Sequence, residues 1–180
     1  MPAPYESHRR QLELILRAWG MPAINAAVTA DIMAWADLHG IDSHGMSMIP
    51  GYDERRQTGK MVMSAQPKIV TDRAIAALID GGGGLGHFSS YTAMNLAISK
   101  ARTLGVGIVG VRNSAHFGAC GYYAKMAADA GFIGMVTTSA SGVQVAPTFG
   151  AEAKYGTDPI AFAAPGRDGE PFLLDMATTT

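Results

Sequence analysis

Apolar residues recur every three or four positions through the first third of the chain. Leu12, Ile15, Leu16 and Trp19 keep helical spacing up to Gly20, and Ile24, Val28, Ile32 and Trp35 resume it after Pro22, a residue suited to a first helical turn. Gly40 reads as the stop of that second helix, and a third short helix is predicted from about Ser47 to Thr58, ending at Gly59. From Pro67 the texture changes to strands and glycine. Lys68 to Thr71 and Ala74 to Asp80 are predicted strands, the second feeding Gly81-Gly82-Gly83-Gly84-Leu85-Gly86. Ser89 or Ser90 is the expected cap of the next helix, whose Met94, Ala97, Ile98 and Ala101 share a face. A strand over Val106 to Val111, a helix from about Ala119 to Ala130 stopped by Gly131, and a strand over Phe132 to Thr138 follow. That β-α-β-α-β order predicts a largely parallel sheet. Ile160 to Ala164 and Phe172 to Asp175, joined by Gly166-Arg167-Asp168-Gly169, add a hairpin that makes the sheet mixed.

Composition narrows the function classes. With 48% hydrophobic and 16% charged residues and a net charge of -1, the 180 residues describe a globular α/β protein and no polyelectrolyte. A nucleic-acid partner is not expected, since no basic block or aromatic-basic stripe is present and the Arg55-Arg56 pair reads as a solvated helix face. Cys120 is the single cysteine, which excludes an intrachain disulfide and a thiolate zinc cluster and fits a reducing compartment. Met1-Pro2-Ala3-Pro4-Tyr5-Glu6 lacks the charged and apolar regions of a leader, and no apolar run is long enough to span a bilayer. A cytoplasmic protein without membrane contact is expected. The final apolar strand is followed almost at once by Thr180, with nothing to cover its far side, so the chain is expected to be cut short.

Candidate chemistry centres on histidine. His116 follows a buried-strand pattern through Arg112-Asn113-Ser114-Ala115, at a strand end where ligand sites of open α/β sheets cluster. The alternative is a loop histidine satisfied by a backbone carbonyl. Asp42-Ser43-His44-Gly45 reads either as an acid/base unit, with a hydroxyl and a carboxylate beside an imidazole, or as a helix-capping turn. His39, Asp42 and His44 have spacing that suits a metal but lack the further ligands a site needs, so no metal is expected. Gly81, Gly83 and Gly86 match G-x-G-x-x-G between a strand and a helix, which reads as a dinucleotide loop or as a purely structural one. Arg112, where an acidic residue is usual, would then receive a 2′-phosphate. Cys120 is expected to be packed, and Asp175, ending a strand, either orients a histidine, binds a ribose hydroxyl or caps the next helix.

Several of these segments in order carry a family resemblance. Asp42-Ser43-His44-Gly45 with Ile49-Pro50-x-Tyr52, Asp80-Gly81-x-Gly83-Gly84-Leu85-Gly86, Arg112-Asn113-Ser114-x-His116-Phe117-Gly118-Ala119-x-Gly121-Tyr122-Tyr123, Gly156-Thr157-x-Pro159 and Leu174-Asp175-Met176-Ala177-Thr178 together resemble the type 2 malate/L-lactate dehydrogenase family. The resemblance implies an NAD- or NADP-dependent homodimer that passes hydride between nicotinamide and a 2-hydroxy acid, 2-keto acid or cyclic imine. It implies a three-layer cofactor domain around a mixed sheet that is not a Rossmann fold, which makes the Gly81 to Gly86 match a decoy. It also implies chains about twice this length, with residues 1-66 as a helical segment carrying Ser-His-Gly and 67-180 as the first part of the cofactor domain. His116 matches the catalytic region as acid/base, with His44 holding the substrate oxygen or sharing the proton path, and Ser43, His44 and Asp175 match a proposed relay. Gly118, Ser139, Leu174, Asp175, Met176, Ala177 and Thr178 match cofactor-lining positions, and His44, Met48, Tyr52 and His116 substrate-lining ones. One departure concerns the substrate: where many members carry Arg, this chain has Met48, and Arg55 or a residue from outside the chain would have to grip a carboxylate. Two other readings stay open, an inactive fragment or binding module of the same fold, and a Rossmann-type NADP reductase.

Overall fold

The computed structural model describes residues 4-140 and 142-179, so residues 1-3, on which part of the leader reading rests, lie outside it. Packing divides the chain into two compact units, one ending at Ala119 and the other beginning at Cys120.

In the first unit the predicted helices form with small shifts at their ends: α1 is Tyr5–Ala18, α2 Ala23–Leu38 and α3 Ile49–Gln57. Leu12 and Leu16 of α1 and Ala26, Ala30 and Met33 of α2 are fully buried, because their spacing puts them on facing stripes and the alanines let the helix axes approach. Tyr52 of α3, Met61, Met63 and Leu85 complete that core. The three-stranded sheet beside it has the order β1-β2-β3, where β1 is Lys68–Asp72, β2 Ala76–Gly84 and β3 Ile108–Ser114. β1 runs antiparallel to β2, and β2 runs parallel to β3, the crossover being made by α4, Gly86–Leu104.

The second unit holds α5, Cys120–Asp129, packed on an antiparallel sheet β4-β5-β6 of Gly134–Thr137, Ile160–Ala164 and Phe172–Met176. Ala161 and Ala163 are fully buried on one face of β5. The expected hairpin is therefore present, with Ile160 opposite Met176 and Ala164 opposite Phe172.

Three details differ from the sequence expectation. The run of strands does not make one largely parallel sheet: only β2-α4-β3 is a parallel crossover, and β4 pairs with β5 instead. Periodicity identifies a strand but not its partner, and the tight β5-β6 hairpin supplies β4 with an antiparallel neighbour. The first four glycines of the run do not form a loop after a strand but are the last four residues of β2, which reaches Gly84. Accordingly α4 starts at Gly86, and Ser89 is no cap; it lies buried within the first turn, its hydroxyl donating to the Gly86 carbonyl. The architecture is α/β, helices first and then small sheets, and it is not a closed barrel.

Candidate active site

The Ser-His-Gly segment is shaped by a residue that sequence reasoning passed over. Asp37, in the last turn of α2, accepts a hydrogen bond from the Met46 amide at 2.9 Å and lies 2.6 Å from His8 Nε2. A Cβ on Gly45 would fall 1.7 Å from its Oδ1, so only glycine lets the carboxylate reach Met46. The chain is thereby folded into two 3-10 turns, Asp42–His44 and Met46–Met48. Within the first, Ser43 Oγ and His44 Nδ1 share a hydrogen bond of 2.8 Å. Met48 packs against the helical core, and Tyr52, one turn into α3, is 1% exposed.

The glycine-rich end of β2 positions His116. The Ala115 amide donates to the Gly84 carbonyl and the Gly86 amide to the His116 carbonyl, both at 2.9 Å, which stitches residues 115-116 across the start of α4. Cβ atoms at Gly81, Gly84 and Gly86 would meet Ser114, Ala65 and the Ala115 carbonyl at 2.9, 2.7 and 2.5 Å. These glycines are close-packing residues. The dinucleotide-loop reading is corrected on two further grounds. The first amide of α4 is already bonded to His116, and Arg112, the supposed phosphate ligand, donates to Asp80 at 3.1 Å. Asp80 also accepts from the Gly82 amide and from Asn113, and these bonds hold its carboxyl below the usual carboxylate range. The Rossmann-type reading loses its phosphate site with them.

His116 Nδ1 lies 2.6 Å from the Tyr52 hydroxyl and 3.4 Å from the Gly118 amide nitrogen. An amide N–H can only donate, and burial pushes the Tyr52 phenol well above its ordinary range, so Tyr52 is a neutral donor. With Nδ1 the acceptor, the proton of neutral His116 sits on Nε2. Burial, with His44 and Arg55 adding unfavourable charge, pushes His116 down to about 4. The His44 and His116 rings are 5.2 Å apart between centroids. Thus Ser43, His44, Tyr52 and His116, four of the site residues read from the sequence, are brought together within the first unit.

A third imidazole, His87, belongs to the same cluster and was not singled out from the sequence. It is 0% exposed, and neither ring nitrogen has a hydrogen-bond partner among the described residues. Its ring stands edge-on to Tyr52 at 6.0 Å and to His116 at 6.2 Å. A signal existed: His87 lies seven residues before Met94, on the helix face shared by Met94, Ala97, Ile98 and Ala101.

Both buried imidazoles make stability depend on pH. Burial holds His87 well below its ordinary value, so the folded state binds fewer protons than the unfolded one once pH falls under about 6.5. Stability is full above that value and is lost down to about 4, where folded His116 also takes its proton. His116 alone contributes on the order of 3 kcal/mol to the loss. Urea unfolding midpoints at pH 7.0 and at pH about 4.5 should differ accordingly, and the difference should shrink in His116→Ala.

In the second unit, Ser139, Ala177 and Thr178 gather at one end of the β4-β5-β6 sheet. The Ala140 amide donates to Asp158 at 2.9 Å, and Thr178 donates from its amide to Thr157 and from its hydroxyl to the Asp158 carbonyl. Leu174 and Met176 on β6 are partly exposed, at 42% and 48%. Asp175 is engaged otherwise: its Oδ2 accepts from the Gly121 amide at 2.6 Å, in the first turn of α5. The helix it caps is α5, which precedes it in the chain, and not the next helix expected from the sequence. Asp175→Ala is expected to cost about 1 kcal/mol, read as a lower thermal midpoint, with Asp175→Asn losing less. Cys120, buried beside it, has its thiol pushed up to about 12 by burial and by Asp175. His39 turns away from His44, bonded to the Trp35 carbonyl and stacked on its ring. Among the described residues no cluster of His, Cys, Asp and Glu is arranged to hold a metal ion, and no helix is long and apolar enough to cross a membrane.

Residues 3-180 match the family model of malate/L-lactate dehydrogenase. The chain belongs to that family. It is 47% identical over 165 residues to malate dehydrogenase of Pyrococcus abyssi, covering 92% of this chain and 45% of the relative. It is 39% identical over 175 residues to L-sulfolactate dehydrogenase of Methanocaldococcus jannaschii, covering 97% and 50%. The solved structure of malate dehydrogenase from Pyrococcus horikoshii superimposes with a TM-score of 0.90 at 42% identity, over 99% of this chain and 51% of that one. The chain thus spans about half the length of the relatives it matches.

Proposed function

We propose that this malate/L-lactate dehydrogenase family chain carries the proton-handling half of an NAD(P)-dependent oxidoreductase, acting on 2-hydroxy and 2-keto acids or related cyclic imines. The observation that carries the reading is the pair of oriented imidazoles, His44 bonded to Ser43 and His116 bonded to Tyr52, with ring centroids 5.2 Å apart. A carbonyl or imine reduced to an alcohol or amine needs a donor at its heteroatom and a proton delivered there. His116, with its proton on Nε2 and little tendency to charge, is suited to hold the substrate oxygen and polarise it, as neutral imidazoles do. His44, steadied by Ser43, is suited to bring the proton during reduction and remove it during oxidation. The division of labour proposed from the tautomer therefore gives His116 the grip and His44 the proton.

A bound nicotinamide supplies or accepts the hydride; Ser139, Leu174, Met176, Ala177 and Thr178, with Gly118 and Asp175, are the proposed residues that line it. The functional division proposed is residues 1-66 for the Ser-His-Gly segment and 67-180 for the cofactor part. Arg55 lies one turn beyond Tyr52, and its charge is felt at both Tyr52 and His116. It is the proposed partner of a substrate carboxylate in place of Met48. A homodimer in the cytoplasm completes the reading.

The test is a panel of 2-hydroxy acids, 2-keto acids and cyclic imine carboxylates with each nicotinamide, followed by the absorbance of the reduced cofactor and run on the full polypeptide. Turnover of at least one class is expected. Binding of NADH or NADPH without turnover of any would overturn the proposal. The half-length coverage favours one second reading, that these 180 residues alone form a non-catalytic module; titration calorimetry showing no uptake of either cofactor by the isolated chain, beside an active full polypeptide, would establish it.

A further inference from the structure

The two groups that donate to His116 Nδ1 belong to residues that rest against the same side chain. Tyr52, whose hydroxyl lies 2.6 Å from Nδ1, meets the edge of His87 with its ring nearly perpendicular, at 82°. Gly118, whose amide lies 3.4 Å from Nδ1, has φ +81, and a Cβ there would stand 2.9 Å from His87 Nε2 and 3.2 Å from Ile32. His87 also forces glycine at 118, because only a residue without a side chain fits both that conformation and that gap. The backbone around it is fixed independently: His87 follows Gly86, whose amide is bonded to the His116 carbonyl. His87 is thus a rigid wall, with α4 behind it and both donors of the His116 hydrogen bonds in front.

We infer that His87 is a positioning residue for His116, holding the Tyr52 hydroxyl and the Gly118 amide so that His116 is kept in the single tautomer with its proton on Nε2. His87 acts by shape, and its ring nitrogens have no partner among the described residues, so a side chain of similar volume without nitrogens preserves the wall. This inference rests on the proposed role of His116, but its principal readout does not require turnover.

The experiment is nitrogen-15 NMR of the histidine rings in the full polypeptide, with wild type, His87→Ala and His87→Leu compared near pH 7. Wild type should show His116 as the pure Nε2–H tautomer. In His87→Ala the two ring nitrogens should move toward the average of the tautomers, with kcat falling about 10-fold or more and KM changing far less. His87→Leu should restore the wild-type pattern and most of kcat. Should His87→Ala not fold, His87→Val takes its place as the smaller side chain. A mixed tautomer in wild type, an unchanged tautomer in the smaller variant, or the same disturbance in His87→Leu as in His87→Ala each overturns the inference. If the spectra behave as expected while no substrate turns over, the positioning role stands and the proposed reaction fails.

Discussion

Replacing His116 by alanine should lower kcat by about 10²–10³-fold, the usual worth of one preorganised donor at a developing oxyanion. The loss should appear in kcat and kcat/KM together, because the hydrogen bond to the substrate oxygen strengthens as charge builds on it. His44→Ala should lose about 10²–10⁴-fold and flatten the pH dependence of turnover, since the proton then has no carrier. The pair separates the two roles: steady-state kinetics across pH with both variants would show His116→Ala keeping the limb that His44→Ala loses. An unaltered kcat in His116→Ala would sink the assignment of this residue. The expectation follows from the tautomer imposed by Tyr52 and Gly118, which makes Nε2–H the ring donor of His116.

Gly86→Ala should be strongly damaging, because its clash is with main chain. The added carbon would stand 2.5 Å from the Ala115 carbonyl oxygen and 2.6 Å from Phe117 Cβ, and the first of these is backbone that cannot rotate away. Residues 115-117 must therefore move, and with them the His116 carbonyl that accepts from the Gly86 amide. A destabilisation of about 3 kcal/mol is expected, measured by chemical denaturation, together with loss of activity in whatever fraction still folds. A variant as stable and active as wild type would show that this segment tolerates displacement, and the account of how β2 places His116 would fail.

Much of the fold could be read along the chain because local patterns decide it. The helical spacing of Leu12, Leu16 and Ile32 made α1 and α2 legible, and the turn residues around Arg167 identified the β5-β6 hairpin. Strand partnership was not legible, since nothing in Phe132 to Thr138 says which strand will lie beside it. The glycine run shows the limit most clearly. The pattern from Gly81 to Gly86 has two physical uses, amides open to a phosphate or backbones packed without side chains, and only the positions of Ser114, Ala65 and Ala115 choose between them. For the site, Ser43, His44, Tyr52 and His116 came from motifs. Asp37, His8 and His87 did not, because each acts through a contact with residues distant along the chain. Asp175 was read with several roles open, and its bond to the Gly121 amide is visible only once α5 and β6 are folded together.

The carboxylate of Asp37 has a mechanical corollary. It touches His8 on one side and the Met46 amide on the other, while Tyr5, in the opening turn of α1, donates to Asp31 of α2 at 3.1 Å. Helix α1 is therefore mechanically linked to the segment bearing His44. Any change that frays α1 would loosen Asp37 and the turn that carries His44 without touching either imidazole of the proposed site.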